Sequence, residues 1–262
     1  MEAIRIRSIR RLSMIRNFLT FVFVIILIWG SAIKTGVSFS SFVRGLPNMW
    51  TLIAEMFPPN WHYFSYITKP MLETIRMAVL GTTAGGVAAI PFALFSSRNV
   101  VRMPMIYYPA RFMMNLIRTI PELLLAALFV PILGIGEIPG ILAIAVFSFG
   151  IIAKLAYESV EAIDTGPLEA MTAVGANKIQ WIFFGVVPQV TAQFMSYFLY
   201  SFEINIRSAA ILGYVGAGGI GLYLNNTLSF FQYDRVLTII IYTLVVVIVI
   251  DFISNKIREK LL

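Results

Sequence analysis

Six apolar runs dominate the chain, at about 18–33, 70–95, 120–133, 141–157, 186–205 and 236–253. A helix of about 20 residues crosses a bilayer, so runs of this kind read as spans. With 59% of residues hydrophobic and 13% charged, a soluble domain is excluded. The expected fold class is all-α: a polytopic membrane protein with about six transmembrane helices.

The charges set the topology. Residues 1–17 hold Arg5, Arg7, Arg10, Arg11 and Arg16 against one acid, Glu2, ahead of the first run. A secretory signal cleaved near Gly30-Ser31-Ala32 is one reading of this start. Because the rest of the chain is itself membranous, a retained first span with a cytoplasmic amino terminus is expected. With both termini inside, Lys34, Arg44, Lys69, Arg76, Arg207 and Arg235 fall outside, and the other 14 of 20 bases fall inside. That bias obeys the positive-inside rule. The net charge of +7 is thus a topology signal and no evidence for nucleic acid.

Between the runs, 34–69 is rich in Trp, Tyr and Pro, which suits an interfacial helix near 39–57 and a turn at Pro58-Pro59. His62 there has an interfacial role, and with no cysteine and no second histidine the chain offers no multi-residue metal site or thiol nucleophile. Small residues at Gly81, Ala84, Gly85, Gly86, Ala88 and Ala89 let the second span approach a neighbour closely. Arg111, Asn115 and Arg118 share a face of a basic helix expected on the cytoplasmic surface, leading into the third span. Glu122 is expected to pair with Arg118 at i,i+4. Gly134–Gly140 is an outer turn.

The stretch from Asp164 to Pro188 departs from the spans on either side. Gly166-Pro167 reads as a helix start, with Glu169 placed to cap its free amides. Gly175 closes the helix after about eight residues, roughly 12 Å. A short capped rod between two spans is a contact point for a partner.

Glu169-Ala170-Met171, Gly175 and Pro188 resemble the EAA loop of the membrane subunits of bacterial ABC importers, with the family's spacing. Met171, Gly185 and Val187 depart from its pattern, so the match rests on Glu169, Ala170, Gly175 and Pro188. The resemblance implies a loop that docks on a separate ABC ATPase subunit and couples it to the pore. Arg118-Thr119-Ile120-Pro121-Glu122-Leu123 and Arg207–Gly221, with the segment from Gly45 to Pro59, are similar to the phosphonate branch of these permeases. That branch also takes phosphate and phosphite.

Within the second motif, Gly216, Gly218, Gly219 and Gly221 match a dinucleotide pattern literally, but no strand–turn–helix context accompanies them. Irregular backbone at membrane depth has to be buried in protein or line a cavity. The string fits a kinked element at the outer mouth of a pathway, or a flexible turn. Arg207 and Ser208 are expected to receive an anion there, the alternative for Arg207 being a pair with Glu203. Lys154 is a second candidate at the pathway, with snorkelling at the interface as its other role.

No G-x-x-x-x-G-K-[ST] occurs, so an ATPase has to be a separate polypeptide. No catalytic residues, cofactor or metal are expected. The domain reading is a tail, first span and outer segment at 1–69, an importer core at 70–255, and a cytoplasmic tail at 256–262. The resemblance implies a type I ABC importer permease, working as a homodimer in the cell membrane with an ATPase and an extracytoplasmic substrate-binding protein. Another small solute, such as an amino acid, is the alternative cargo. An ion-coupled secondary transporter would show interrupted helices in both halves, and only 213–221 is interrupted. A membrane enzyme would need convergent acids, whereas Glu73, Glu203 and Asp251 are dispersed.

Overall fold

Each apolar run becomes helix, the one structure that lets a segment in lipid pair its own backbone. The computed structural model describes residues 2–36 and 38–261, the side chains of 2–13 and of Phe39 excepted. Met1 and Leu262, the extreme residues of the two expected tails, lie outside it. So do the side chains of Arg5, Arg7, Arg10 and Arg11. Among the described residues there is no strand.

The chain divides into two compact units between Glu55 and Met56. The first contains α1 (Glu2–Thr35), whose 34 residues rise about 51 Å, and α2 (Phe39–Met56). The apolar part of α1, Met14–Thr35, is long enough to span. The second unit opens with a short 3-10 turn at Trp61–Tyr63 and continues directly into α3 (Phe64–Ser96). Pro70, where the sequence reading places the start of the importer core, lies within α3.

After α3 come α4 (Pro104–Arg118) and α5 (Glu122–Leu133), bent by 86° from one another. The bend falls at Thr119–Pro121, where Pro121 has extended backbone and no amide to continue the ladder. α5, at 12 residues, is about 18 Å long and too short to span alone. The expected third span is long enough only when α4 is joined to it, as a broken span or a re-entrant pair. Then follow α6 (Glu137–Glu161), α7 (Gly166–Ala173), α8 (Lys178–Gln180), a π-helical turn at Trp181–Val186 and α9 (Val187–Leu212). α10 (Gly219–Ser229) and α11 (Tyr233–Leu261) complete the chain. Among the described residues five helices are long and apolar enough to cross, six spans if the bent pair counts as one.

α3 and α6 form the centre of this unit. A Cβ on Gly81 would lie 2.6 Å from the Ile144 side chain, and one on Gly85 would lie 2.8 Å from the Phe149 amide nitrogen and meet the Ala145 carbonyl. Helices in lipid gain little from apolar burial against one another, so such close approach supplies the packing. Met77, Ala78, Ala143, Ile144, Ile206 and Leu212 fill the core where α9 joins. Asn205 of α9 is buried and donates to Thr82 of α3 and Ser148 of α6, both at 2.6 Å. Leu72, Leu80 and Val87 of α3, and Leu244, Ile248 and Phe252 of α11, remain exposed, as a lipid-facing surface requires.

Gly85→Leu is expected to destabilise the chain beyond the about 1–3 kcal/mol usual for overpacking, because its obstacle is backbone. Gly45→Leu, whose Cβ would meet open space, is the control and should keep its stability. Thermal unfolding in detergent, followed by fluorescence size exclusion, reads both.

Candidate functional site

α7 is a rod held at both ends, with Leu168 as its buried side chain. Asp164 accepts from the Gly166 amide at 3.0 Å, and Pro167 has no donor to leave open. The expected cap by Glu169 is not made: its exposed carboxylate leaves the helix amides alone, and Asp164 does that work. At the other end Gly175 has φ +73°, its amide donates to Thr172 and that of Ala176 donates to Met171. This is a Schellman closure, in which glycine takes the left-handed position without a side-chain penalty. Asn177 and Gln180 then form a reciprocal capping box at 2.9 and 3.0 Å that starts α8. The N-x-x-Q pattern was the sequence signal for it.

Leu168 is the buried foot of the rod. Its carbonyl accepts from the Trp181 indole at 3.1 Å. A Cβ on Gly185 would lie 2.9 Å from the Leu168 side chain, so glycine there makes room for the foot. Beside Pro188, Gln189 hydrogen-bonds Asp164 through both backbone groups and the Gly185 carbonyl, fastening the start of the loop to its end. Ala170, Glu169 and Gly175 stay exposed. Between α7 and the 99–102 turn lies an open groove of about 890 Å³, bordered by Arg102, Glu169, Thr172, Lys178 and Trp181. The Lys178 ammonium sits 4.1 Å above the Trp181 ring, which fixes a positive charge at the edge.

Behind the rod, Glu161 gathers three helices. It accepts from the Arg98 amide at 2.7 Å and pairs with Arg111, whose Nε donates to the Ser96 carbonyl at 2.8 Å. The Arg111 guanidinium lies between Tyr107 and Tyr157. Sequence spacing put Arg111 on a helix face, while its partner lies 50 residues away.

At the opposite end of the bundle the glycine string is a second closure of the same type. Gly216 has φ +88°, its amide donates to Gly213 and that of Ala217 donates to Leu212. Gly216 and Gly218 face the 130–137 segment, and the Gly136 amide donates to the Gly216 carbonyl. Gly219 lies against Thr74 and Met77, and Thr74 accepts from the Ile220 amide at 2.8 Å. Gly221 meets the Ala210 carbonyl and Gly213. The string is packed backbone, with several of its amides already engaged.

The charged candidates are paired. α9 runs on to Leu212, so Arg207 stands within the helix and not beyond it. Its guanidinium meets Glu203 at 2.8 Å and Asp251 of α11 at 3.4 Å, while Glu203 also holds Arg258 at 3.1 Å. Lys154 pairs with Glu158, one turn along α6, at 3.5 Å. Ser208 donates to Glu122 at 2.6 Å. Glu122 therefore does not make the expected pair with Arg118: the 86° bend between them breaks the helical spacing that pair needs.

Because Glu203 serves two arginines, Glu203→Gln should cost more stability than Asp251→Asn. The expected loss is about 1–3 kcal/mol, the range for leaving a charged hydrogen-bonding partner short. Thermal unfolding of the two variants in one detergent gives the order.

The comparisons with known proteins agree with this architecture. The model of the binding-protein-dependent transport system inner membrane component matches residues 85–261. A phosphite transport system permease protein of Stutzerimonas stutzeri is 34% identical over 84% of this chain and 80% of its own. A phosphate-import permease protein of Mycolicibacterium smegmatis is 37% identical over 85% of this chain and 42% of its own. Among solved structures, an inward-facing methionine ABC transporter matches 78% of this chain and 99% of its own, with a TM-score of 0.68 at 20% identity. A multi-pass membrane chain with a short exposed helix between two spans, it belongs to the family of binding-protein-dependent transport system inner membrane components and is a transport subunit.

Proposed function

We propose that the chain is the permease of an ATP-driven ABC importer that carries a phosphonate or a related phosphorus oxyanion across the cell membrane. The observation that carries the reading is α7: an exposed helix of two turns, fixed at both ends and footed on the bundle by Leu168. A rod so held transmits a push from outside to α6 and α9 without absorbing it. The relatives named for phosphite and phosphate transport support the substrate class.

In this reading a separate ABC ATPase docks on Glu169, Ala170 and Gly175, with Pro188 setting the start of α9. A substrate-binding protein delivers the anion outside, two copies of the chain enclose the path, and both termini lie in the cytoplasm. Residues 1–69 flank an importer core at 70–255, and 256–262 form an inner tail. The face of α9 that carries Arg207 and Ser208 borders the path. The string at Gly216, Gly218, Gly219 and Gly221 closes it outside, and Lys154 belongs to its inner part.

Gly175→Val tests the coupling. A β-branched residue in the left-handed region costs about 1–2 kcal/mol and reopens the Schellman closure. In proteoliposomes with ATPase and binding protein, the variant should insert at normal abundance and lose uptake. Wild-type uptake with normally stimulated ATP hydrolysis would overturn the assignment. Competition among methylphosphonate, phosphite and phosphate in the unaltered complex ranks the substrates.

A further inference from the structure

We propose that Arg118, at the elbow between α4 and α5, is the guanidinium that meets the transported oxyanion midway through the membrane; this rests on the phosphorus-oxyanion reading above. Its depth follows from two directions. A Cβ on Gly150 would lie 3.3 Å from the Arg118 amide nitrogen and 3.4 Å from its Cα, and Gly150 stands near the middle of α6. From the elbow, α5 rises about 18 Å to the outer turn, where Gly136 bonds Gly216, and the hydrocarbon core is about 30 Å thick. The cytoplasmic position expected for this residue therefore gives way to one at membrane depth. Gly150 permits it, since any side chain there would press on the elbow's backbone.

At that depth Arg118 is exposed, and among the described residues it makes no ion pair and no side-chain hydrogen bond. The nearest acid in sequence, Glu122, is turned to Ser208 instead. Lys154 is balanced by Glu158, and Arg207 by Glu203 and Asp251. Of these three bases Arg118 is the one with no acid partner among the described residues. Ionisable side chains within a membrane face a bundle interior or a water-filled cavity, not lipid. A guanidinium there can hold a tetrahedral oxyanion by two parallel N–H bonds, and Asn115, exposed one turn earlier, adds a neutral donor.

The chain has no cysteine, so Arg118→Cys can be probed without background. In the assembled complex it should react with the membrane-impermeant anion 2-sulfonatoethyl methanethiosulfonate. Leu80→Cys on the lipid face should not. In proteoliposomes, Arg118→Gln should lower maximal uptake of methylphosphonate, phosphite or phosphate about tenfold or more, the scale of one charge-assisted pair. Arg118→Lys should recover part of it, and both should keep ATP hydrolysis stimulated by the binding protein. An unreactive Arg118→Cys overturns the proposal. So does wild-type uptake by Arg118→Gln, or equal loss of protein in both variants with unchanged uptake per molecule. If the unaltered complex carries none of the three anions, the substrate reading falls. Labelling of Arg118→Cys still decides whether the residue lines a water path.

Discussion

Close contact between the backbones of α3 and α6 is the constraint on which the rest of the second unit depends. Lipid tails are as apolar as leucine, so helices in a bilayer are not driven together by water. At Gly81 and Gly85 the absence of a side chain lets the two axes approach until backbone touches backbone and Ile144. Once that pair is set, α9 has one place to go. Asn205 reaches Thr82 on one helix and Ser148 on the other, and the Phe198 ring lies over Gly86. The elbow of α4 and α5 is located in the same way, by Gly150 near the middle of α6.

Two glycines in left-handed conformation close helices at opposite ends of the bundle, and their surroundings separate their roles. Nothing lies within 4 Å of a Cβ on Gly175, so its closure ends an exposed rod. The closure at Gly216 is covered by Val130 and Ile135, Gly218 lies against Gly136 and Glu137, and Gly219 and Gly221 are wedged against α3 and the end of α9. One local motif thus stands in the open in one place and is packed against neighbouring backbone in the other.

The charges of the second unit follow a matching division. Glu161 draws Arg98 and Arg111 together behind the rod, and Glu203 joins Arg207 to Arg258 between α9 and α11. Glu203 joins its helices by serving two guanidinium groups, and Glu161 by serving one guanidinium and the Arg98 backbone amide, which suits a medium where a lone charge is costly. Arg118 at the elbow, by contrast, is exposed and makes no ion pair among the described residues.

Much of this was written in the chain itself. Run length determined the helices and their number, since a bilayer demands about 20 apolar residues per crossing. Turn chemistry determined where they stop: Gly166-Pro167, Gly175 and the 213–221 string act on backbone only a few residues away, so α7 could be drawn from sequence to within a residue. The fold class and the family were legible for that reason. What tertiary structure alone decided was every pairing across long separations. Glu122 looked like the partner of Arg118 until the bend at Pro121 turned it to Ser208, 86 residues away. Arg207 acquired Asp251 as well as Glu203, and the glycine string proved to be packed rather than free. Spacing along a chain fixes what lies within one turn of a helix, whereas contacts between helices depend on which small residues let their axes meet.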